Sequence, residues 1–349
     1  MVKKIKRRRV PLSEPVPTSA DDVSSIDDGG TFFSATSSKE TFGSGSTLLD
    51  LANGGGWAVG GVINIVGDKS SDKTGLIIEA FANFERKFPG TAMRYNDAEK
   101  ACDTQYAQTL GLPSSIDPWQ GCETVEKFAD DFVEFVTAIE DGGRGLYVLD
   151  SLDALSDETE MAQAMDAATM GMAKAKMLSK FFRKTVSICD RKRVTLIVVS
   201  QIRAAVNVSY GRATTRAGGK ALDFYALQII YLTHLKRIEI QRRGVKRCIG
   251  IQIQAKNEKN KVGTPFREAR FPVYFSFGVD DVASMIEWLL EIKQHRQLFA
   301  SEKEAKGVLA MSRSMDIEEW VSWRKKLRRV VRTEWDEIEQ AFAPTKRKY

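Results

Sequence analysis

Five strand-length runs of almost unbroken apolar character constrain this chain more than any other feature: Val62–Val66, Leu146–Leu149, Leu196–Val199, Leu227–Leu232 and Ile249–Ile253. A strand with one wet face alternates apolar and polar residues, whereas a strand covered on both faces does not. These runs therefore require a layer on each side of a sheet. Segments with helical spacing supply it. Val125, Phe128, Phe132, Val136 and Ile139 recur at intervals of three and four, and so do Leu178, Phe181, Phe182, Thr185 and Cys189. Strands alternating with such helices predict an α/β fold, a mostly parallel twisted sheet with helices on both faces.

The chain has 349 residues, 43% of them hydrophobic and 28% charged, which excludes disordered and fibrous classes. Its four cysteines, Cys102, Cys122, Cys189 and Cys248, form no C-x-x-C pair, and the two histidines are His234 and His295. A zinc site, a disulfide scaffold and a histidine-based triad are not expected from that set. No apolar run approaches the ~18 residues that span a bilayer. The basic N-terminus is followed by no apolar segment, so the expectation is no membrane partner and a reduced, cytoplasmic setting. A formal charge of +6 permits an anionic partner without demanding one.

Three regions follow along the chain. Residues 1–42 read as a flexible arm: a basic block (Lys3, Lys4, Lys6, Arg7, Arg8, Arg9), then prolines among polar residues, then Phe32 and Phe33. Residues 43–298 read as the globular core. Residues 299–349 read as a basic helical region, with Trp320, Trp323, Leu327, Val331, Trp335 and Ile338 in one stripe. Arg324, Lys325, Arg328, Arg329 and Arg332 lie on or beside the other face. That face is either solvated or gathers a phosphate backbone.

The run Val62–Val66 leads into Gly67, Asp68, Lys69, Ser70, Ser71, Asp72, Lys73, Thr74 and Gly75, and a helical pattern follows. A strand–loop–helix of this kind suits a Walker A loop, whose backbone N–H groups converge on phosphate oxygens. Lys73 would lie along the β- and γ-phosphates, and the Thr74 hydroxyl would ligate Mg²⁺. Asp72 departs from the pattern, which places glycine before the lysine. At ~4 Å and an effective dielectric near 20, each like-charged pair costs about 4 kcal/mol. The Asp72 carboxylate must therefore point away from the nucleotide, or be offset by Lys69 or metal. Alone, the segment reads equally well as a Ser-rich turn, and its neighbours decide. Asp150 ends an apolar strand where Mg²⁺ is held in nucleotide sites, although a helix cap is the simpler role for it. Glu99 follows a short strand and could deprotonate an attacking water. Gln201 ends another, where its amide could sense a γ-phosphate. Residues of this kind at the carboxyl ends of successive strands make a nucleotide site at one sheet edge.

Taken together, these residues resemble the RecA/RadA family of ATP-dependent DNA recombinases from Gly43 to about Asp280. The resemblance is carried by Gly45–Asp50 with Gly54-Gly55-Gly56, the phosphate loop and Asp97-Ala98-Glu99-Lys100. It continues through Tyr147–Ser151, Ser200-Gln201-Ile202-Arg203, Gly218–Ala226 and Lys259-Asn260-Lys261. It implies a RecA-like P-loop ATPase core using ATP and Mg²⁺. Lys73 and Thr74 would bind phosphate and metal, Asp150 would support the metal, and Glu99 would be the general base. Gln201 would couple the γ-phosphate to the DNA-binding loop. Asp103 and Tyr106 would border the adenine, and Lys259 and Lys261 would reach the ATP of a neighbouring subunit, as an arginine finger does. Gly75 replaces a hydroxyl residue of the family's loop. Phage recombinases are similarly relaxed there, so a phage-type member in a host cytoplasm is expected.

The segment from Ile202 to Gly219 carries Arg203, Arg212 and Arg216 with Gly218 and Gly219, and no acidic residue. A cationic, glycine-bearing loop suits a clamp on single-stranded DNA. Lys176 on the preceding helix could add a phosphate contact. Phe32 and Ala35 resemble the F-x-x-A segment by which subunits of the family dock, and Phe224 would share that contact. The resemblance thus implies a DNA-dependent ATPase forming helical filaments on single-stranded DNA, with homologous duplex as second partner, for pairing and strand exchange. A hexameric motor or helicase built on the same core remains an alternative. So does a non-hydrolysing filament protein with a degenerate loop.

Overall fold

A computed structural model describes residues 39–119, 121–157, 170–204, 214–215 and 219–344. The expected positions Phe32, Ala35, Arg212, Arg216 and Gly218 lie outside the described residues. The chain opens with β1 (Thr41–Phe42), α1 (Thr47–Ala52) and β2 (Trp57–Ala58). Next come β3 (Gly61–Gly67), α2 (Lys73–Lys87), β4 (Ala92–Asp97), α3 (Thr104–Thr109) and α4 (Val125–Thr137). Then follow β5 (Gly145–Asp150), α5 (Met170–Lys192), β6 (Val194–Gln201), β7 (Arg203–Ala204), β8 (Thr214–Thr215) and α6 (Gly219–Tyr225). The second half holds β9 (Gln228–Arg242), β10 (Val245–Asn260), β11 (Glu268–Tyr274), β12 (Gly278–Val279), α7 (Asp281–Glu291), α8 (Glu302–Met311) and α9 (Ile317–Ala341).

Eight strands form the central sheet in the order β12-β11-β10-β9-β3-β6-β5-β4. The β9-β3-β6-β5-β4 half is parallel, and β9 to β12 run antiparallel to one another. All residues of β3 and β5 are buried, as their apolar runs require. Alternate side chains of β3 feed two separate cores. Ile63 and Ile65 pack with Leu76, Phe81 and Phe84 of α2, and Val62 and Val66 pack with Phe128, Phe132, Leu178 and Phe182 of α4 and α5. Helices thus cover both faces, and the predicted α/β class holds. The outer runs are longer than their apolar stretches suggest: β9 has 15 residues and β10 has 16, because the far half of this hairpin is polar and exposed.

In the tail, the aromatic stripe of α9 packs inward. Trp323 stacks on Phe299 at 5.5 Å, Trp335 meets Trp288 at 5.9 Å, and Leu327 and Val331 are fully buried. One arginine expected on the basic side is instead drawn to the core. The Arg324 Nε donates to Asp281 Oδ2 at 2.7 Å, and Asp281 is completely buried. A buried carboxylate needs a cation or several donors, and that need outweighs solvation of the guanidinium.

Candidate nucleotide site

β3 delivers the loop 67–72 to the sheet's carboxyl edge, beside the end of β6 and Leu232 of β9. Gly67 is sterically required. A Cβ there would overlap the Ser71 hydroxyl and lie 3.1 Å from the Leu232 carbonyl. Ser71 Oγ donates to the Asp68 carbonyl at 2.9 Å and folds the loop over itself. Lys73 Nζ donates to the same carbonyl at 2.6 Å, so the ammonium lies across the mouth of the loop. Burial lowers its pKa from the ordinary value, opposed by Asp150 and Glu99. An anion arriving here would meet a cation flanked by the carboxylates of Asp150 and Glu99.

Thr74 Oγ1 donates to Asp150 Oδ2 at 2.8 Å, and Tyr95 OH donates to that same oxygen at 3.3 Å. Asp150 is the last residue of β5, and the 3₁₀ turn after it takes no side-chain cap from Ser151. The capping role is therefore not the one seen. Burial pushes the Asp150 carboxyl up to about 6, with the Thr74 hydrogen bond pulling the other way. A hydroxyl and a buried carboxylate sharing one edge offer two hard oxygens, and a divalent cation such as Mg²⁺ would restore the charged form. Mg²⁺ takes its remaining ligands from water and phosphate, so these residues fit it.

Glu99 accepts two hydrogen bonds at Oε1, from Ser151 Oγ at 2.6 Å and Gln201 Nε2 at 2.7 Å. The Gln201 backbone N–H donates to Asp153 Oδ2 at 2.7 Å. The expected base and the expected sensor are thus in direct contact. Any group that displaces the Gln201 amide also removes one of the two hydrogen bonds to this carboxylate oxygen.

A cavity runs from the loop along one flank of α2. Asp72, Thr74, Gly75, Ile78 and Glu79 line one side, and Cys102, Asp103 and Tyr106 line the other. Its roof is the β11–β12 hairpin, Val273 to Val279. Asp103 caps α3 by accepting from Tyr106 N at 3.0 Å, and Tyr106 OH accepts from Ser276 N at 3.1 Å. Tyr106 is 43% exposed, so its ring is available to stack. Asp72 sits in the left-handed region (φ 59°) at the N-cap of α2 and its side chain makes no capping bond. Burial and then Glu79 push Asp72 up to about 7, and burial pushes Glu79 to about 7 against the pull of Arg324.

Similarity to known proteins follows this geometry. The RecA N-terminal domain family matches residues 31–280. The chain belongs to the RecA family. Protein RecA of Borrelia duttonii (strain Ly) is 34% identical over 249 residues, covering 71% of this chain and 66% of that protein. Protein RecA of Borrelia hermsii (strain HS1 / DAH) is 33% identical over 250 residues, 71% and 68% of the two chains. For Synechococcus sp. (strain CC9902) the values are 33% over 252 residues, 71% and 63%. The match thus spans about two-thirds of these relatives' own lengths.

Within this RecA-family chain the remaining expected residues lie elsewhere. Lys259 Nζ donates to the carbonyls of Asp223 (2.6 Å) and Phe224 (2.9 Å) at the end of α6. Burial, then Lys261, lowers its pKa. Asn260 pairs with Gln228, and Gln228 with Ile63, at the entry end of β3, whereas the phosphate loop leaves from Gly67. Four residues of strand separate the two levels, about 13 Å. Lys259 and Lys261 are therefore not part of their own chain's cavity. Arg203 and Gly219 start β7 and α6, Lys176 is exposed on α5, and Phe224 is 71% exposed. The sequence reading missed Glu79 and the β11–β12 roof, and it gave Ser151 no contact with Glu99. Ser151 follows the quoted Asp150 directly, but nothing local marks the others.

Proposed function

We propose that this chain is an ATP-dependent recombination protein. It polymerises on single-stranded DNA, holds ATP and Mg²⁺ at each subunit junction, and pairs the bound strand with a homologous duplex. The carrying observation is the Glu99–Gln201 hydrogen bond at 2.7 Å. Gln201 ends β6 and leads directly into the cationic segment 202–220. A γ-phosphate accepting from the Gln201 amide would release Glu99 to orient water and would pull on that segment at once. Nucleotide state and DNA grip are thereby linked through one side chain. ATP supplies the phosphoryl bond and Mg²⁺ neutralises its oxygens. The chain's own groups position both: Lys73 along the phosphates, Thr74 and Asp150 toward the metal, and Asp103 with Tyr106 at the base.

Arg203, Arg212, Arg216, Gly218, Gly219 and Lys176 would hold the DNA backbone. Phe32, Ala35 and Phe224 would join neighbouring copies. Lys259 and Lys261 would complete the next copy's site, stabilising charge on the transferring phosphoryl group. The test is electron microscopy with single-stranded DNA and a non-hydrolysable ATP analogue, alongside DNA-stimulated phosphate release. Helical filaments and stimulated release are expected. Closed rings, or no assembly with either ligand, would refute the proposal.

A further inference from the structure

Two unusual loop residues, Asp72 and Gly75, turn out to be neighbours in space. They lie three residues apart on one flank of α2, with Glu79 one turn further on the same flank. A Cβ built on Gly75 would fall 2.5 Å from Asp72 Oδ1 and 2.6 Å from its Cγ. Real Cβ atoms do not tolerate such approaches, so any side chain at position 75 would evict the Asp72 carboxylate. Position 75 is not in the left-handed region, and its backbone would accept other residues. The absent side chain at 75 is therefore needed for the orientation that the Asp72 carboxylate takes.

The carboxylate so placed lies along the helix flank rather than over the mouth where Lys73 lies. It receives no hydrogen bond from the described residues, and both Asp72 and Gly75 line the cavity that runs to Asp103 and Tyr106. Resting on the ATP reading above, the phosphates lie at the loop and the base at Tyr106. The part of the nucleotide between them is the sugar, whose hydroxyls are hydrogen-bond donors.

We propose that Asp72 and Gly75 form one specificity element, in which the Asp72 carboxylate, admitted by the missing side chain at 75, accepts a hydrogen bond from a ribose hydroxyl. It selects ribonucleotides lacking no hydroxyl over their deoxy counterparts.

The test is equilibrium titration of the full chain with MgATP, Mg-2′-deoxy-ATP and Mg-3′-deoxy-ATP. Gly75→Ala is expected to weaken MgATP binding about tenfold, the effect of overpacking by one methyl. In the Asp72→Gly background the same alanine should cost less than about twofold, because the obstacle is gone. One of the two deoxy nucleotides should bind the wild type about tenfold more weakly than MgATP, since a hydrogen bond to a carboxylate is lost. Asp72→Gly should show no such difference. Equal penalties for alanine in both backgrounds would overturn the steric pairing. If Gly75→Ala fails to fold by circular dichroism while the double variant folds, the pairing stands. If neither folds, it is overturned. Wild type that binds both deoxy nucleotides as it binds MgATP would overturn the sugar contact. Wild type that binds no MgATP at all would overturn the ATP reading, and this element with it.

Discussion

Replacing Arg324 with alanine tests how the C-terminal helix is held. Asp281 is fully buried and takes three hydrogen bonds: Thr47 N at 2.6 Å, Thr47 Oγ1 at 2.7 Å and Arg324 Nε at 2.7 Å. Removing one partner of a buried ion pair costs about 3–5 kcal/mol, because the other charge is left without compensation. Two features place this case at the lower end. The Arg324 side chain is 22% exposed, so water can follow it, and Thr47 retains its two bonds to Asp281. The guanidinium also sits 5.4 Å from the Trp320 ring centre, which adds about 0.5 kcal/mol. The expected loss is about 3 kcal/mol in chemical denaturation followed by tryptophan fluorescence. Arg329→Ala, on the exposed side of the same helix, should cost less than about 0.5 kcal/mol. Adding Asp281→Asn to Arg324→Ala should cost far less than it does alone, since the pair is already broken. Equal stability of Arg324→Ala and Arg329→Ala would refute the reasoning.

Glu99→Gln should retain MgATP binding while phosphate release falls about 10²–10⁴-fold, as loss of a general base requires; turnover near wild type would exclude Glu99 from that role. Asp50 is buried and accepts from Ser44 N at 2.7 Å, and burial raises its carboxyl from 3.8 to about 6. The folded state therefore binds this proton more tightly than the unfolded one. Its contribution is present below pH 3.8 and is lost as pH rises through about 6. Asp50→Asn should remove up to about 3 kcal/mol of the stability difference between pH 4 and 7; an unchanged pH profile would show that Asp50 does not titrate in this window. Phe224→Ala should leave stability within about 0.5 kcal/mol, since the ring is exposed, but weaken self-association in sedimentation; unaltered assembly would remove Phe224 from the junction.

The parallel half of the sheet was legible because strands buried on both faces have no room for polar residues. The positions of Lys73, Thr74, Asp150 and Gln201 were legible because each closes a strand or opens a helix, and that of Glu99 because it lies two residues past the end of β4. Other features follow from distance along the chain. The outer halves of β9 and β10 are polar and are held by hairpin pairing, so no apolar run announces them. The cavity roof at Val273–Val279 comes from a hairpin about 170 residues beyond Tyr106, and nothing near Tyr106 signals it. Arg324 sits among other basic residues on the helical wheel, and only its partner 43 residues earlier distinguishes it. The orientation of Asp72 depends on Gly75, a pairing that pattern matching treats as two separate defects.

The placement of Lys259 and Lys261 allows a decisive mixing experiment. Both lie at the entry end of β3, about 13 Å along the strand from their own phosphate loop, and Lys259 is anchored on carbonyls of α6. No side-chain rotation carries them past the intervening sheet to Lys73. Under the proposed function they act on the nucleotide of an adjoining copy. Glu99→Gln chains and Lys259→Ala/Lys261→Ala chains should each be inactive alone. In a random one-to-one co-polymer, a junction works when the first type supplies the lysines and the second supplies the glutamate. That happens at about one quarter of junctions, so about one quarter of wild-type turnover should return. If both residues served a single chain's site, every junction would lack one of them and mixing would restore nothing.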